Sequence, residues 1–192
     1  MRPGLADPVL DSQRIFRRLL DAMSNPGRVV NLAPTEPPLP PLNAGSLAIC
    51  LTLVDLDTPI WLDAAARTAE VMAHLRFHCG CRIVDEPAQA RFAVVVDAMG
   101  MPALDRFDAG TDEYPDRSAT VIVQTAGLTS GAGHRLTGPG IELEAWLEVG
   151  GLADGFWGDL RANRERFPRG IDVLLTSGAS VAALPRSTRV EG

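Results

Sequence analysis

The order of apolar and polar positions along the chain predicts helices that alternate with strands. Apolar side chains recur with helical spacing from Ile15 to Met23, where Asp11 or Ser12 can cap the helix and Asn25-Pro26-Gly27 ends it. Three further helices are predicted, at residues 43–54, 65–78 and 154–167.

Seven short segments are typical of strands: residues 28–32, 59–62, 82–84, 92–97, 119–125, 171–176 and 181–184. The last two flank Ser177-Gly178-Ala179-Ser180 in the pattern of a closing hairpin. The run at 92–97 is apolar almost throughout, as in a strand of a sheet that is covered on both faces. Asn43 opens the second helix, and Asp63 caps the third. The pattern predicts an α/β fold, with a mixed central sheet between helical layers, as a single domain over residues 1–192.

Composition excludes several classes of function. A chain of 192 residues, 46% of them hydrophobic, can bury a core without disulfides or a structural metal. Its formal net charge of −6 argues against nucleic acid as a partner, because such binding depends on basic side chains. All 18 basic residues are arginine. Without a lysine, the chain can be neither a pyridoxal phosphate enzyme nor a Schiff-base aldolase, nor can it form a Walker A phosphate loop.

The same residues indicate where the protein resides. Three cysteines, Cys50, Cys79 and Cys81, are too few for a secreted disulfide framework, which favours a reducing compartment. The N-terminus has no apolar signal-peptide core, and the longest apolar stretch, residues 47–54, is far shorter than the roughly 20 residues that span a bilayer. We therefore expect a cytoplasmic protein with no membrane partner.

Five sequence strings occur in a fixed order along the chain. They are FRRLLDAMSNPG at 16–27, LRFH at 75–78, RLTGPGI at 135–141, FPRGIDVLL at 167–175 and LPRST at 184–188. In order and spacing they resemble the PhnH family of the bacterial carbon-phosphorus lyase system. The resemblance extends over nearly the whole chain, although Cys79-Gly80-Cys81 departs from the family pattern after LRFH.

The resemblance implies a role in phosphonate catabolism. It implies a subunit that acts with the G, I and L subunits to form a ribose 1-phosphonate 5-triphosphate from ATP and an alkylphosphonate, with release of adenine. Cleavage of the carbon-phosphorus bond then belongs to a different, iron-sulfur subunit.

The resemblance also implies a fold similar to that of pyridoxal phosphate-dependent transferases, without the cofactor. The absence of lysine agrees with this expectation. A homodimer is implied, which joins a core complex with the G, I and J subunits.

A cluster of nitrogen and sulfur side chains raises the question of a metal site. His74 and His78 stand one helical turn apart, and Cys79 and Cys81 follow. There is no C-x-x-C pair and no second ligand group elsewhere, and Cys79 falls on a different side of the helix from His78. We predict no metal, and no cofactor.

Arg76 and His78 form the first candidate ligand site. An imidazole and a guanidinium can both donate to a phosphoryl or phosphonyl oxygen, and both are expected outside the apolar stripe of their helix. The plainer interpretation is a helix end that is stabilised by its own cations.

The glycine-rich stretch from Thr129 to Ile141 forms the second candidate site, with Arg135, Thr137, Gly138 and Gly140 as its binding residues. Backbone N–H groups in such a stretch can cradle phosphates. Because no helix follows, a tight turn between two strands at Gly138-Pro139-Gly140 is favoured, and Arg135 could serve either function.

Other charged residues have structural and functional interpretations side by side. Arginines 161, 164, 166 and 169 form either a solvated face or a surface that docks an acidic subunit. Asp172 and Arg186 belong to the family strings, which would suit a functional role, but a structural ion pair would explain each of them equally well. The serines lack a G-x-S-x-G context, so no catalytic residue is assigned.

Two classes of function therefore remain open. The favoured one is a non-catalytic or accessory subunit that shapes a multi-protein enzyme. The other is a subunit with its own nucleotide- or phosphonate-binding site.

Overall fold

The structure is a computed structural model that describes residues 3–191; Met1, Arg2 and Gly192 of the predicted domain lie outside the described residues. Its helices are Pro8–Ser24 (α1), Ala44–Leu53 (α2), Ala69–Cys79 (α3) and Phe156–Glu165 (α4). Its strands are Val30–Asn31 (β1), Ile60–Leu62 (β2), Ile83–Val84 (β3), Phe92–Val95 (β4), Thr120–Gln124 (β5), Gly127–Thr137 (β6), Ala145–Gly150 (β7), Asp172–Ser177 (β8), Ser180–Leu184 (β9) and Arg189–Glu191 (β10). Within residues 3–191, no helix is long and apolar enough to cross a membrane.

Seven strands form the central sheet, in the order β1-β9-β8-β5-β4-β2-β3. Strands β3, β2, β4, β5 and β8 run parallel, whereas β9 is antiparallel to its two neighbours β8 and β1. The predicted α/β fold with a mixed central sheet is therefore confirmed, as is the hairpin formed by β8 and β9.

The middle strands are buried on both faces, as the apolar run at 92–97 predicted. In β4, Val94 belongs to a core shared with α1, α2 and α3, whereas Ala93 and Val95 belong to a second core on the opposite face. Because side chains alternate along a strand, such a strand needs a covering layer on each side.

The second covering layer differs from the prediction. It is mainly a three-stranded antiparallel sheet, β10-β6-β7, with α4 beside it, so the expected helical layer on this face is wrong. Leu136 of β6 and Leu147 of β7 are fully buried against the central sheet. The sequence gives little sign of this layer because β6 runs through the glycine-rich stretch, where apolar and polar residues do not alternate.

Helix α1 begins earlier than predicted. Asp7 is its cap and accepts hydrogen bonds from the backbone N–H groups of Val9 and Leu10, and Pro8 occupies the first helical position. Asp11 lies inside the helix, where its carboxylate accepts the N–H of Asp7 at 2.9 Å. The prediction of Asp11 or Ser12 as cap is therefore wrong.

Helix α3 also has a different cap, Thr68, whose hydroxyl accepts the N–H of Val71. The predicted cap, Asp63, instead joins two strand ends. One of its oxygens accepts the N–H of Ala66 at 2.7 Å, and the other accepts the N–H groups of Val96 and Asp97 at 2.8 Å each. Asp63 thus fixes the end of β2 beside the end of β4.

Strand β6 contains a bulge that adapts it to β7. Ser130 and His134 both pair with Leu147, so the three residues between them have no partner in β7. Gly131 and Gly133 in this bulge have φ angles of +86° and +85°. A Cβ at Gly133 would lie 2.5 Å from the carbonyl oxygen of Leu147, whereas at Gly131 it would have no neighbour within 4 Å.

We expect the two glycines of the bulge to respond differently to alanine. In Gly131→Ala, the alanine must adopt the left-handed backbone conformation but meets no neighbour, so the free energy of unfolding should fall by about 1 to 2 kcal/mol. Gly133→Ala adds the collision with β7 and should lower the free energy of unfolding by at least about 2 kcal/mol more. Urea unfolding of both variants tests this expectation, and equal losses would contradict the described pairing of β6 and β7.

Candidate functional site

A cleft of about 510 Å³ lies where β4, β5 and β8 end. In open α/β sheets, ligands bind most often at the carboxyl ends of the parallel strands, so this carboxyl-end cleft is the expected position of a ligand. Its lining residues are Asn43, Val96, Asp97, Ala98, Met99, Gln124, Thr125, Ala126, Gly151, Ser177 and Gly178.

The polar groups around this cleft are largely bonded to one another. Gln124 accepts the N–H of Asn43 at 2.5 Å and donates to the carbonyl of Pro41 at 3.1 Å. Asn43 donates to the hydroxyl of Thr176 at 3.2 Å. The charge that lines the cleft is the carboxylate of Asp97. Such a surface is poorly suited to a phosphate or phosphonate.

Arg76 and His78 lie in the last turn of α3, but they do not converge. Residues that are two positions apart on a helix, such as these, are separated by about 200° around its axis. Arg76 is exposed, while His78 is half-buried with its ring 4.3 Å from that of His74. A Cβ at Gly4 would lie 2.7 Å from Nδ1 of His78, so the N-terminal segment covers this imidazole. Neither residue lines the carboxyl-end cleft.

The cysteines lie close together beneath this helix end. Cys79 donates to the carbonyl of Cys50 at 3.7 Å, and Cys81 to that of Leu75 at 3.8 Å. The contact between the Cys79 and Cys81 thiols raises the pKa of Cys79 and lowers the pKa of Cys81. Burial raises the pKa of Cys50 to about 12. Among residues 3–191, no three His, Cys, Asp or Glu side chains are grouped so that they could hold a metal ion.

Arg135 is held by two carboxylates. Its guanidinium donates to Glu144 at 2.7 Å and to Glu191, which also accepts the hydroxyl of Thr137 at 3.2 Å. The hydrogen bond to Glu144 raises the pKa of Arg135 and lowers the pKa of Glu144. Arg135 and Thr137 of β6 therefore both donate hydrogen bonds to Glu191 of β10 and hold the two strands together.

Gly138 and Gly140 belong to the turn that leaves β6. The N–H of Ile141 donates to the carbonyl of Gly138 at 3.1 Å, and β7 follows the turn, so the favoured interpretation of a turn between two strands is confirmed. Gly140 has a φ of +83°, and a Cβ there would lie 2.2 Å from the carbonyl oxygen of Ser24. Glycine is needed for this close approach to the end of α1.

Asp172 and Arg186 form a structural ion pair, one of the two interpretations kept open for them. Both side chains are 16% exposed, and Arg186 donates from its backbone N–H at 2.8 Å and from its Nη2 at 2.5 Å. A further guanidinium nitrogen donates to the carbonyl of Pro115. The pair joins the start of β8 to the segment after β9.

The arginines of α4 divide between two surroundings. Arg169, just beyond the helix, pairs with Asp112 at 3.1 Å, and Arg164 donates from Nε to the carbonyl of Ser187 at 3.1 Å. Arg161 and Arg164 line a cavity that Arg189 of β10 shares. The sequence does not indicate that Arg189 belongs with the arginines of α4, because only the tertiary structure brings β10 beside α4.

Helix α1 has a second apolar stripe, which faces solvent. Ile15 and Leu19 are buried, but Phe16 and Leu20 of the same predicted stripe are 44% and 51% exposed. With Val9, 75% exposed, they follow one face of the helix. Contiguous exposed apolar residues of this kind are typical of a protein-protein contact.

A sequence model of the family described as "Bacterial phosphonate metabolism protein (PhnH)" matches residues 3–191. The chain belongs to the PhnH family. This confirms the resemblance drawn from the five strings.

Two relatives carry functional descriptions. The alpha-D-ribose 1-methylphosphonate 5-triphosphate synthase subunit PhnH of Rhizobium meliloti (strain 1021) is 40% identical over 188 residues, which cover 98% of this chain and 94% of that protein. The putative C-P lyase subunit protein HtxG of Stutzerimonas stutzeri is 34% identical over 179 residues, covering 93% of this chain and 85% of that protein.

In this member of the PhnH family, four of the five strings meet in pairs. The end of FRRLLDAMSNPG contacts RLTGPGI through Gly140 and Ser24, and FPRGIDVLL contacts LPRST through Asp172 and Arg186. These contacts give those residues of the strings a structural explanation.

We expect the Asp172–Arg186 pair to matter far more for stability than an exposed pair. Arg186→Gln leaves a carboxylate that is mostly buried and should lower the free energy of unfolding by about 3 kcal/mol. The control is Arg169→Gln, whose partner Asp112 is 85% exposed, and its effect should stay below about 1 kcal/mol. Chemical unfolding measures both, and a similar small loss in the two variants would contradict a structural role for Arg186.

Proposed function

We propose that this chain is the PhnH subunit of an enzyme complex that synthesises α-D-ribose 1-methylphosphonate 5-triphosphate, and that its role is assembly rather than catalysis. The observation that carries the proposal is the similarity to the Rhizobium protein over nearly the full length of both chains. According to the family resemblance, the reaction joins ATP to an alkylphosphonate with release of adenine.

Three features support an accessory role. The absence of lysine leaves no side-chain amine for a Schiff base. The charge of Arg135 is already balanced by Glu144 and Glu191. Ser130 accepts the N–H of Val29 and donates to the carbonyl of Gly27, both at 3.0 Å, which is the arrangement of a structural hydroxyl.

The expected partners are a second copy of the chain and the G, I, J and L subunits. The exposed stripe of α1, formed by Val9, Phe16 and Leu20, is the apolar surface best placed for such a contact. The homodimer, the single domain over residues 1–192, the cytoplasmic location and the likeness to a pyridoxal phosphate-dependent transferase fold stay predictions from the sequence and the resemblance.

Complementation tests the proposed function. In a bacterium that lacks its own PhnH, this chain should restore growth on methylphosphonate as the sole phosphorus source and should co-purify with the other synthase subunits. Phe16→Asp places a charge in the exposed stripe of α1 and should weaken subunit association about tenfold or more.

Leu143→Asp is the matched control, because Leu143 is 84% exposed but lies in the turn between β6 and β7. It should leave growth and co-purification unchanged. If the unaltered chain neither restores growth nor co-purifies, the proposed function is wrong. If Phe16→Asp assembles normally, the stripe is not the contact.

A second candidate function, a phosphonate or nucleotide site on this subunit, rests on Arg76 and His78. Its support is the exposure of Arg76 alone, because His78 lies on a different side of α3. If the pair holds a phosphoryl or phosphonyl group, Arg76→Gln and His78→Ala should each slow growth on methylphosphonate at unchanged melting temperature. The control is Arg106→Gln, an exposed arginine elsewhere. Normal growth by both variants would remove this candidate.

A further inference from the structure

A basic cavity lies between α4 and β10 on a protein that is acidic overall. Its volume is about 410 Å³, and Arg161, Arg164 and Arg189 line it together with Glu165, Val190 and Glu191. Cavities of roughly 300–1,000 Å³ are typical of small-molecule sites. Three guanidinium groups at one cavity stand out in a chain with a net charge of −6.

The fold directs these arginines to one place. Arg161 and Arg164 are three residues apart on α4, so they share a face of the helix. Arg189 lies on β10, the edge strand of the three-stranded sheet, which pairs with β6 on one side only. Helix α4 packs against β10, and the cavity is lined by residues of both elements.

Two of the three arginines keep donors that no carboxylate uses. Within residues 3–191, neither Arg164 nor Arg189 forms an ion pair. Arg164 uses its Nε on the carbonyl of Ser187 and lies over the ring of Phe167, with its guanidinium carbon 4.9 Å from the ring centre. These contacts orient its guanidinium.

The two carboxylates of the cavity, Glu165 and Glu191, differ in their surroundings. Glu191 accepts hydrogen bonds from Arg135 and from the hydroxyl of Thr137, both on β6, and Arg135 shares its single charge with Glu144. Glu165 is exposed in the last turn of α4. The cavity is therefore lined by three guanidinium groups and two carboxylates, one of which is partly neutralised by Arg135.

We propose that this cavity binds the polyphosphate chain of a small molecule, with Arg161, Arg164 and Arg189 as its ligands. Planar guanidinium groups bind phosphoryl oxygens with paired hydrogen bonds, and three of them match an anion with several charged groups in a row. The choice of a triphosphate rests on the proposed function, whereas the anionic character of the ligand rests on the arginines alone.

Calorimetry with inorganic tripolyphosphate tests the site on the full chain. We expect Arg189→Gln and Arg161→Gln each to weaken binding about tenfold, the equivalent of about 1.4 kcal/mol. Glu165→Gln removes a repulsive charge and should strengthen binding. Arg82→Gln is the matched control, because Arg82 is exposed beside β3 at the far edge of the central sheet, and it should bind like the unaltered chain.

His134 provides a second readout that does not depend on affinity. Its ring lies 4.1 Å from that of Trp157 on α4, and burial together with the charge of Arg161 lowers the pKa of His134. An anion bound at Arg161 offsets that charge, so saturating tripolyphosphate should raise the pKa of His134 in an NMR titration. Arg161→Gln should raise it without the anion.

Three results would overturn the proposal: no binding of tripolyphosphate by the unaltered chain, equal weakening in Arg82→Gln, or tighter binding of a hexaglutamate peptide than of tripolyphosphate. The last would assign the cavity to an acidic segment of a protein partner. Co-purification of Arg189→Gln with the synthase subunits is measured in parallel. If the unaltered chain assembles with the synthase subunits and restores growth but does not bind tripolyphosphate, the proposed polyphosphate site is wrong. The proposed function of the chain would not be affected.

Discussion

Burial of the central strands on both faces is the constraint on which the rest of this structure depends. β4, β5 and β8 are apolar on either side, and their side chains enter two separate cores. Each core needs its own cover. Helices α1, α2 and α3 supply one, and the sheet of β6, β7 and β10 with α4 supplies the other. The second cover brings Arg189 beside α4 and so creates the basic cavity.

Polar residues hold this arrangement at the points where separate segments of the chain meet. Asp63 ties the end of β2 to that of β4, and Asp172 ties the start of β8 to Arg186. Asn163 of α4 both donates to and accepts from the backbone of Ile171, at 2.9 and 2.8 Å. Because a buried polar group without a partner is costly, such contacts select one arrangement of the segments.

The arginines show how the same residue type serves different purposes. Arg186 and Arg135 are committed to carboxylates and stabilise the fold. Arg164 and Arg189 face a cavity instead. In a subunit whose proposed role is assembly, this cavity is the place where the chain could contact a polyphosphate directly.

By itself, the sequence determined the parts whose signals are local. The apolar run of β4, the cap at Asn43, the hairpin of β8 and β9 and the absence of lysine could all be recognised along the chain, and so could the family strings. The caps at Asp7 and Thr68 were missed because a nearby carboxylate looked equally suitable. The sequence could not show that Asp63 binds the end of β4, since Val96 and Asp97 lie more than 30 residues away along the chain.

Only the tertiary structure decided the second layer and the sites. The glycine-rich strand β6 has no alternation of its own, and it is stable as a strand only because β7 and β10 pair with it. Arg76 and His78 are close in sequence but lie on different sides of α3, because a helix turns by about 100° per residue. Arg161 and Arg189 are distant in sequence but share a cavity, because packing of α4 beside an edge strand brings them together.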